Sequence, residues 1–137
     1  MATYNVTNAV AGVPVGRKLQ VVEVVLDFST TNLAVSDVVN VFEIPANTMV
    51  LNAGIEVLTA ASTGSPTIDM GDGDAVDTWV TDVDGSTTAQ EIGSTPKIYG
   101  SADNIDIVGV TATFDGKIRC VATLVEIGAG ETAAAFA

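Results

Sequence analysis

Histidine is absent from the 137 residues of this chain. That absence removes Ser-His-Asp and Cys-His catalysis, histidine-ligated zinc and the usual acid–base group near neutral pH. Cysteine is almost absent too. Cys120 stands alone in the apolar stretch KIRCVATLV, so no disulfide can form within the chain and the thiol is expected to serve as a small core hydrophobe. Lys117 and Arg119 alternate with it along a predicted strand and point to the opposite face, which leaves the thiol without a base. An enzyme is therefore not expected.

Positive charge is scarce: 5 basic residues stand against 17 acidic ones, for a net charge of −12. Such a surface repels phosphate backbones, so direct DNA or RNA binding is not expected, and it favours solubility. Aromatic residues make up 5% of the chain, and Trp79 is the only tryptophan, too few for the stacking platforms of a sugar cleft. No run reaches the roughly 18 apolar residues that a membrane-spanning helix needs. The opening MATYNVTNAV has neither a basic nor a long apolar region of the kind a secretory leader carries, so synthesis in a cytoplasm is expected.

What is abundant is small and apolar. Hydrophobic residues reach 47%, with Ala and Val prominent beside many Thr, Asp and Gly. Val and Thr are stiff at χ1 and suit pleated sheets. A chain of this length fits one domain and can bury its own core. The composition predicts an all-β protein.

Residues 1–18 hold small residues with little periodicity and read as an extended N-terminal arm. From residue 19 the text is strand-like. In LQVVEVVLDF, Val22, Val24, Leu26 and Phe28 share a face opposite Glu23 and Asp27. VVNVFEIP puts Val38, Phe42 and Ile44 on one face. After PANT, Met49, Leu51, Ala53, Ile55 and Val57 alternate with polar residues. Pro45 and Asn47 between these two runs predict a β-hairpin turn. PTIDMG, TWVTDV, a short strand at Lys97–Tyr99, and IDIVGV with VTATF continue the series. Asp115-Gly116 predicts a second hairpin into KIRCVATLVEI. Seven or eight strands with frequent turns predict a single-domain antiparallel β-sandwich, jelly-roll-like, over residues 19–127. Residues 128–137 read as a C-terminal tail.

Two clusters invite a chemical reading. IDMGDGDAVDTWVTDVDG holds six carboxylates, and Asp72, Asp74 and Asp77 could supply oxygen ligands to calcium. The spacing does not match an EF-hand, and a solvated, glycine-bent loop is the plainer reading, so no metal or other cofactor is assigned. Trp79 beside this loop reads as core or as an interface anchor. Arg17-Lys18, the only adjacent basic pair, could meet an acidic patch on a partner. Val39, Val41 and Val50, out of phase with the predicted core positions, are candidates for a contact between protomers.

The run DFSTTNLAVSDVVNVFEIPANTMVLNAGIEV, followed by TIDMGDGD and closed by IDIVGVTATFDGKIRCVATLVEI, resembles the small capsid decoration (cement) proteins of tailed bacteriophages. The resemblance covers about residues 20–127. It implies a homotrimer on the outside of an icosahedral head, at three-fold and quasi-three-fold positions, clamping major capsid subunits together. It carries over no catalytic residue, and implies a virion protein whose partners are its own copies and the major capsid protein. Two rival functions are a phage head-fibre base or appendage β-domain and a calcium-dependent carbohydrate-binding sandwich. The first calls for a stalk repeat and the second for a calcium-shifted melting temperature.

Overall fold

The computed structural model describes residues 16–129, and within them nine strands form two antiparallel sheets. Chain order runs β1 (Leu19–Asp27), β2 (Val38–Ile44), β3 (Thr48–Thr59), β4 (Thr67–Gly71), β5 (Val80–Asp84), β6 (Gln90–Gly93), β7 (Lys97–Tyr99), β8 (Asp103–Val110) and β9 (Lys117–Glu126). One sheet is ordered β1-β9-β3-β6, with β7 also on β3, and the other β2-β8-β4-β5. Counting β6 and β7 as one interrupted strand gives the eight-stranded double-sheet order of a jelly roll. Both pieces lie along the same edge of β3, β6 against 53–56 and β7 against 48–50. Residues 94–96 interrupt them, and Pro96 has no N–H to give a ladder.

The core lies between the sheets. Val57, Ile55, Ala53 and Val50 of β3 meet Ile118, Cys120, Ala122 and Leu124 of β9 in register, and all are at most 5% exposed. From the other sheet come Ile44, Ile68, Met70, Val80, Val83, Ile105 and Ile107. Phe28 and Phe114 close one end edge-to-face, with ring centroids 5.9 Å apart. As expected, Val22, Val24 and Leu26 pack inward. Burial pushes the Cys120 thiol up to about 12, which suits a side chain used for packing.

Several sequence-based expectations need correction. The stretch at Pro45-Ala46-Asn47 is not a hairpin turn, because β2 pairs with β8 while β3 pairs with β9, β6 and β7. It is a corner that carries the chain from one sheet to the other. Asn47 makes it possible by adopting a left-handed backbone (φ 58°), and its carbonyl accepts the Ile127 N–H at 2.8 Å. Asp115-Gly116 likewise leads between sheets, from β8 to β9, not around a hairpin. The expected strand VTATF gives way to a turn at Thr111 (φ 65°), and Phe114 forms only a bridge to Leu33.

Strand phases shift for a related reason. The register of β2 slips between Asn40 and Phe42, so Val39, Val41 and Phe42 all pack against the core while Val38 is 59% exposed. In β3 the register slips between Val50 and Asn52. Val50, and not Met49 or Leu51, therefore fills the core, at 0% exposed. A bulge adds one residue, and one residue reverses every face beyond it. Strand β6 forms in a stretch whose turn-rich sequence predicts no strand.

Candidate interaction surfaces

The acidic loop between β4 and β5 is organised around one buried carboxylate. The Asp72 side chain is fully enclosed. Its Oδ2 accepts hydrogen bonds from Tyr99 Oη at 2.6 Å and Lys97 Nζ at 2.7 Å, both from β7. Its Oδ1 accepts the Asp74 N–H at 2.9 Å, the Ala75 N–H at 3.2 Å and the Thr78 hydroxyl at 3.2 Å. Trp79 Nε1 donates in turn to Tyr99 Oη at 3.3 Å. Burial alone would raise the Asp72 carboxyl, but the donors led by Lys97 and Tyr99 outweigh it and hold it down at about 2. Tyr99 is pushed up, first by burial and then by its bond to Asp72.

Lys97 also contacts Asp74 at 2.9 Å, so its ammonium stands between the two carboxylates that a calcium ion would have had to bridge. Asp77 points to solvent on the loop's outer side and joins neither. Among the described residues no cluster of three or more acidic or cysteine side chains has metal-holding geometry. The network is a strut: it ties the loop after β4 to β7, and hence one sheet to the other. An open groove of about 400 Å³ beside the corner brings Glu43 near Asp103. Asp103 there accepts the Gly73 N–H at 3.1 Å, another loop tie.

The residues expected at an interface divide. Val50 and Trp79 are 0% and 4% exposed inside the protomer, so neither is available to a partner; the bulge explains the first and the Tyr99 bond the second. Val39 and Val41 are half-buried against the core. Arg17 and Lys18 are exposed immediately before β1.

The structure also exposes apolar residues beyond those expected at an interface. Leu19, Val21 and Val25 of β1 are 57%, 75% and 49% exposed, and Ile92 and Ile98 are 53% and 60% exposed. The registers put them on the outer face of the five-stranded sheet. Leu19, Val125, Met49 and Ile98 form one apolar row across four strands. Val121, Gly54 and Ile92 form a shorter second row, which ends on Glu23 of β1. Arg119 crosses this face between Glu56 at 3.2 Å and Glu23 at 3.6 Å. A hollow of about 130 Å³ lined by Ile92, Arg119 and Val121 opens there. Gly54 lets β6 pack close to β3 here, since a Cβ at that position would come within 2.6 Å of the Glu91 carbonyl and of the Ile92 side chain. The signal was present in LQVVEVVLD, which is apolar on both faces.

No known family's sequence profile matches the chain, and no curated protein matches it in sequence. Solved structures do match in fold. A chain of the cyanophage Pam1 capsid asymmetric unit superposes with a TM-score of 0.63 at 16% identity, covering 82% of this chain and 87% of that one. A chain of the capsid of Ralstonia phage GP4 gives a TM-score of 0.63 at 13% identity, over 85% and 90%. A chain from the acid-stable capsid of Helicobacter pylori bacteriophage KHP30 gives 0.60 at 14% identity, over 80% and 87%. All three come from phage capsid structures, and at these identities the likeness is one of fold.

Proposed function

We propose that this chain is a structural, non-enzymatic protein of a tailed-phage virion: a homotrimeric decoration protein on the outside of the head. It sits at three-fold and quasi-three-fold positions, is made in the host cytoplasm, and clamps neighbouring major capsid subunits. The observation that carries this reading is the jelly roll matched over at least 80% of the chain to chains of three phage capsid structures. The order of the sequence motifs supports it, as do the exposed apolar side chains Leu19, Val21, Val25, Ile92 and Ile98 on one sheet face.

The mechanism is one of linkage. A protein that binds the assembled shell but not free subunits shifts the equilibrium toward the shell by mass action. Three protomers engaging three subunits at once add their contacts through effective concentration, so each contact can be weak. A rigid clamp suits a core held by two sheets and by the Asp72 strut. The test is to add the purified protein to heads that lack it. The temperature at which those heads release their DNA should rise; an unchanged release temperature with the protein in excess would count against the clamp.

A further inference from the structure

Strand β1 carries apolar residues on both sides, and among the described residues only one side packs into the core. Val22, Val24 and Leu26 pack inward, while Leu19, Val21 and Val25 stand bare on the other side. Exposed apolar side chains gathered on one face mark an interaction surface. The free edge of β1 adds to this. Among the described residues β1 pairs only with β9, over nine residues without a register slip. The other edges are blunted: β2 and β5 lie beside register slips, and β6–β7 is broken by Pro96. A long, unbroken, apolar edge is a template for another chain.

Size and charge say which chain. Strand rise and spacing give this outer face roughly 500 to 600 Å², about two-thirds of the roughly 800 Å² that each partner gives to a standard interface. Its ions are three carboxylates, Glu23, Asp27 and Glu56, against Lys117 and Arg119, so little of the net charge of −12 lies there. Arg17 and Lys18 stand exposed at its margin. Strands β2, β4, β5 and β8 carry six carboxylates and no Lys or Arg. One copy therefore offers a cation-bearing apolar face and, on its opposite sheet, an anionic one.

We infer that the outer face of the five-stranded sheet, with the free edge of β1, docks a second copy of this chain, head to tail against its carboxylate-bearing four-stranded sheet. Contacts between two different patches close into rings when the rotation permits, whereas like-to-like pairing would leave the carboxylate-bearing sheet of each copy without the cations. The inference rests on the homotrimer reading and names the surface that closes the ring.

Light scattering on the purified full chain at micromolar concentration tests it. The wild type should have the mass of three protomers. V21D/I98D, at two positions that are 75% and 60% exposed, should fall to one protomer with its Trp79 fluorescence unchanged. Arg17→Glu with Lys18→Glu, which removes no apolar contact, should raise the concentration needed for assembly at least tenfold. Val76→Asp, 55% exposed in the loop after β4, should stay trimeric. The inference is overturned if folded V21D/I98D remains trimeric, or if Val76→Asp dissociates as readily. Should V21D/I98D not fold, an unchanged assembly of the Arg17/Lys18 variant overturns it instead. A trimer indifferent to these changes leaves the capsid reading standing. A monomeric wild type removes the ring, and binding to heads then decides the rest.

Discussion

The Tyr99 hydroxyl donates to the Asp72 carboxylate at 2.6 Å, and through that contact a buried loop charge is tied to the short strand β7. Replacing Asp72 by Asn would leave the Lys97 ammonium beside a neutral amide, with Asp74 at 2.9 Å as its remaining carboxylate partner. Weakening hydrogen bonds to a charged group costs about 2 kcal/mol. Asp72→Asn should lower the melting temperature by several degrees without changing the strand content seen by circular dichroism. An unchanged melting temperature would mean that the strut contributes nothing.

Acid should act in two opposite directions. Asp72 is held at about 2 in the fold against an ordinary 3.8, so its contribution of roughly 2 kcal/mol is complete above pH 5 and lost as pH falls from about 4 toward 2. Asp69 and Asp106 are raised, chiefly by burial, and Asp106 further by Asp72 and Asp103. Raised carboxyls cost stability when ionised, and mild acid relieves that cost. The melting temperature should therefore pass through a maximum between about pH 4 and 6 and fall steeply below it. A steady decline from pH 8 to 3 would contradict these assignments.

Asn47 sets the corner between β2 and β3. Its φ of 58° is left-handed, a conformation that costs an alanine about 1 kcal/mol and a glycine almost nothing. Asn47→Ala should be destabilised by about that much in urea titration, with Asn47→Gly close to the wild type. Equal losses in the two variants would point to the side chain and not the backbone.

The corner also marks the limit of what the sequence disclosed. Alternation in LQVVEVVLDF placed β1 with the correct inward residues, and in KIRCVATLVEI it set Cys120 inward opposite Lys117 and Arg119, because neither strand slips against its neighbour in their shared ladder. Where a single extra residue enters, at Val41 in β2 and Leu51 in β3, alternation misassigned the faces and put Val50 on the outside. Pro-Ala-Asn-Thr and Asp-Gly were legible as turns. Whether a turn joins partners in one sheet or crosses to the other depends on contacts remote in sequence, such as Ile127 with Asn47 and Leu33 with Phe114. Trp79 was open between core and interface until Tyr99, 20 residues away, supplied its acceptor. The apolar outer face is legible in LQVVEVVLD, where Leu19, Val21 and Val25 break the polar half of the β1 alternation.

The central claim is that this jelly roll binds the outside of an assembled phage head as a trimer, and imaging reads it most directly. Heads lacking the protein, mixed with saturating purified chain and examined by electron cryo-microscopy, should gain three jelly rolls over each three-fold and quasi-three-fold position on the outer surface. Heads that stay bare, or density confined to another place on the particle, would contradict the account.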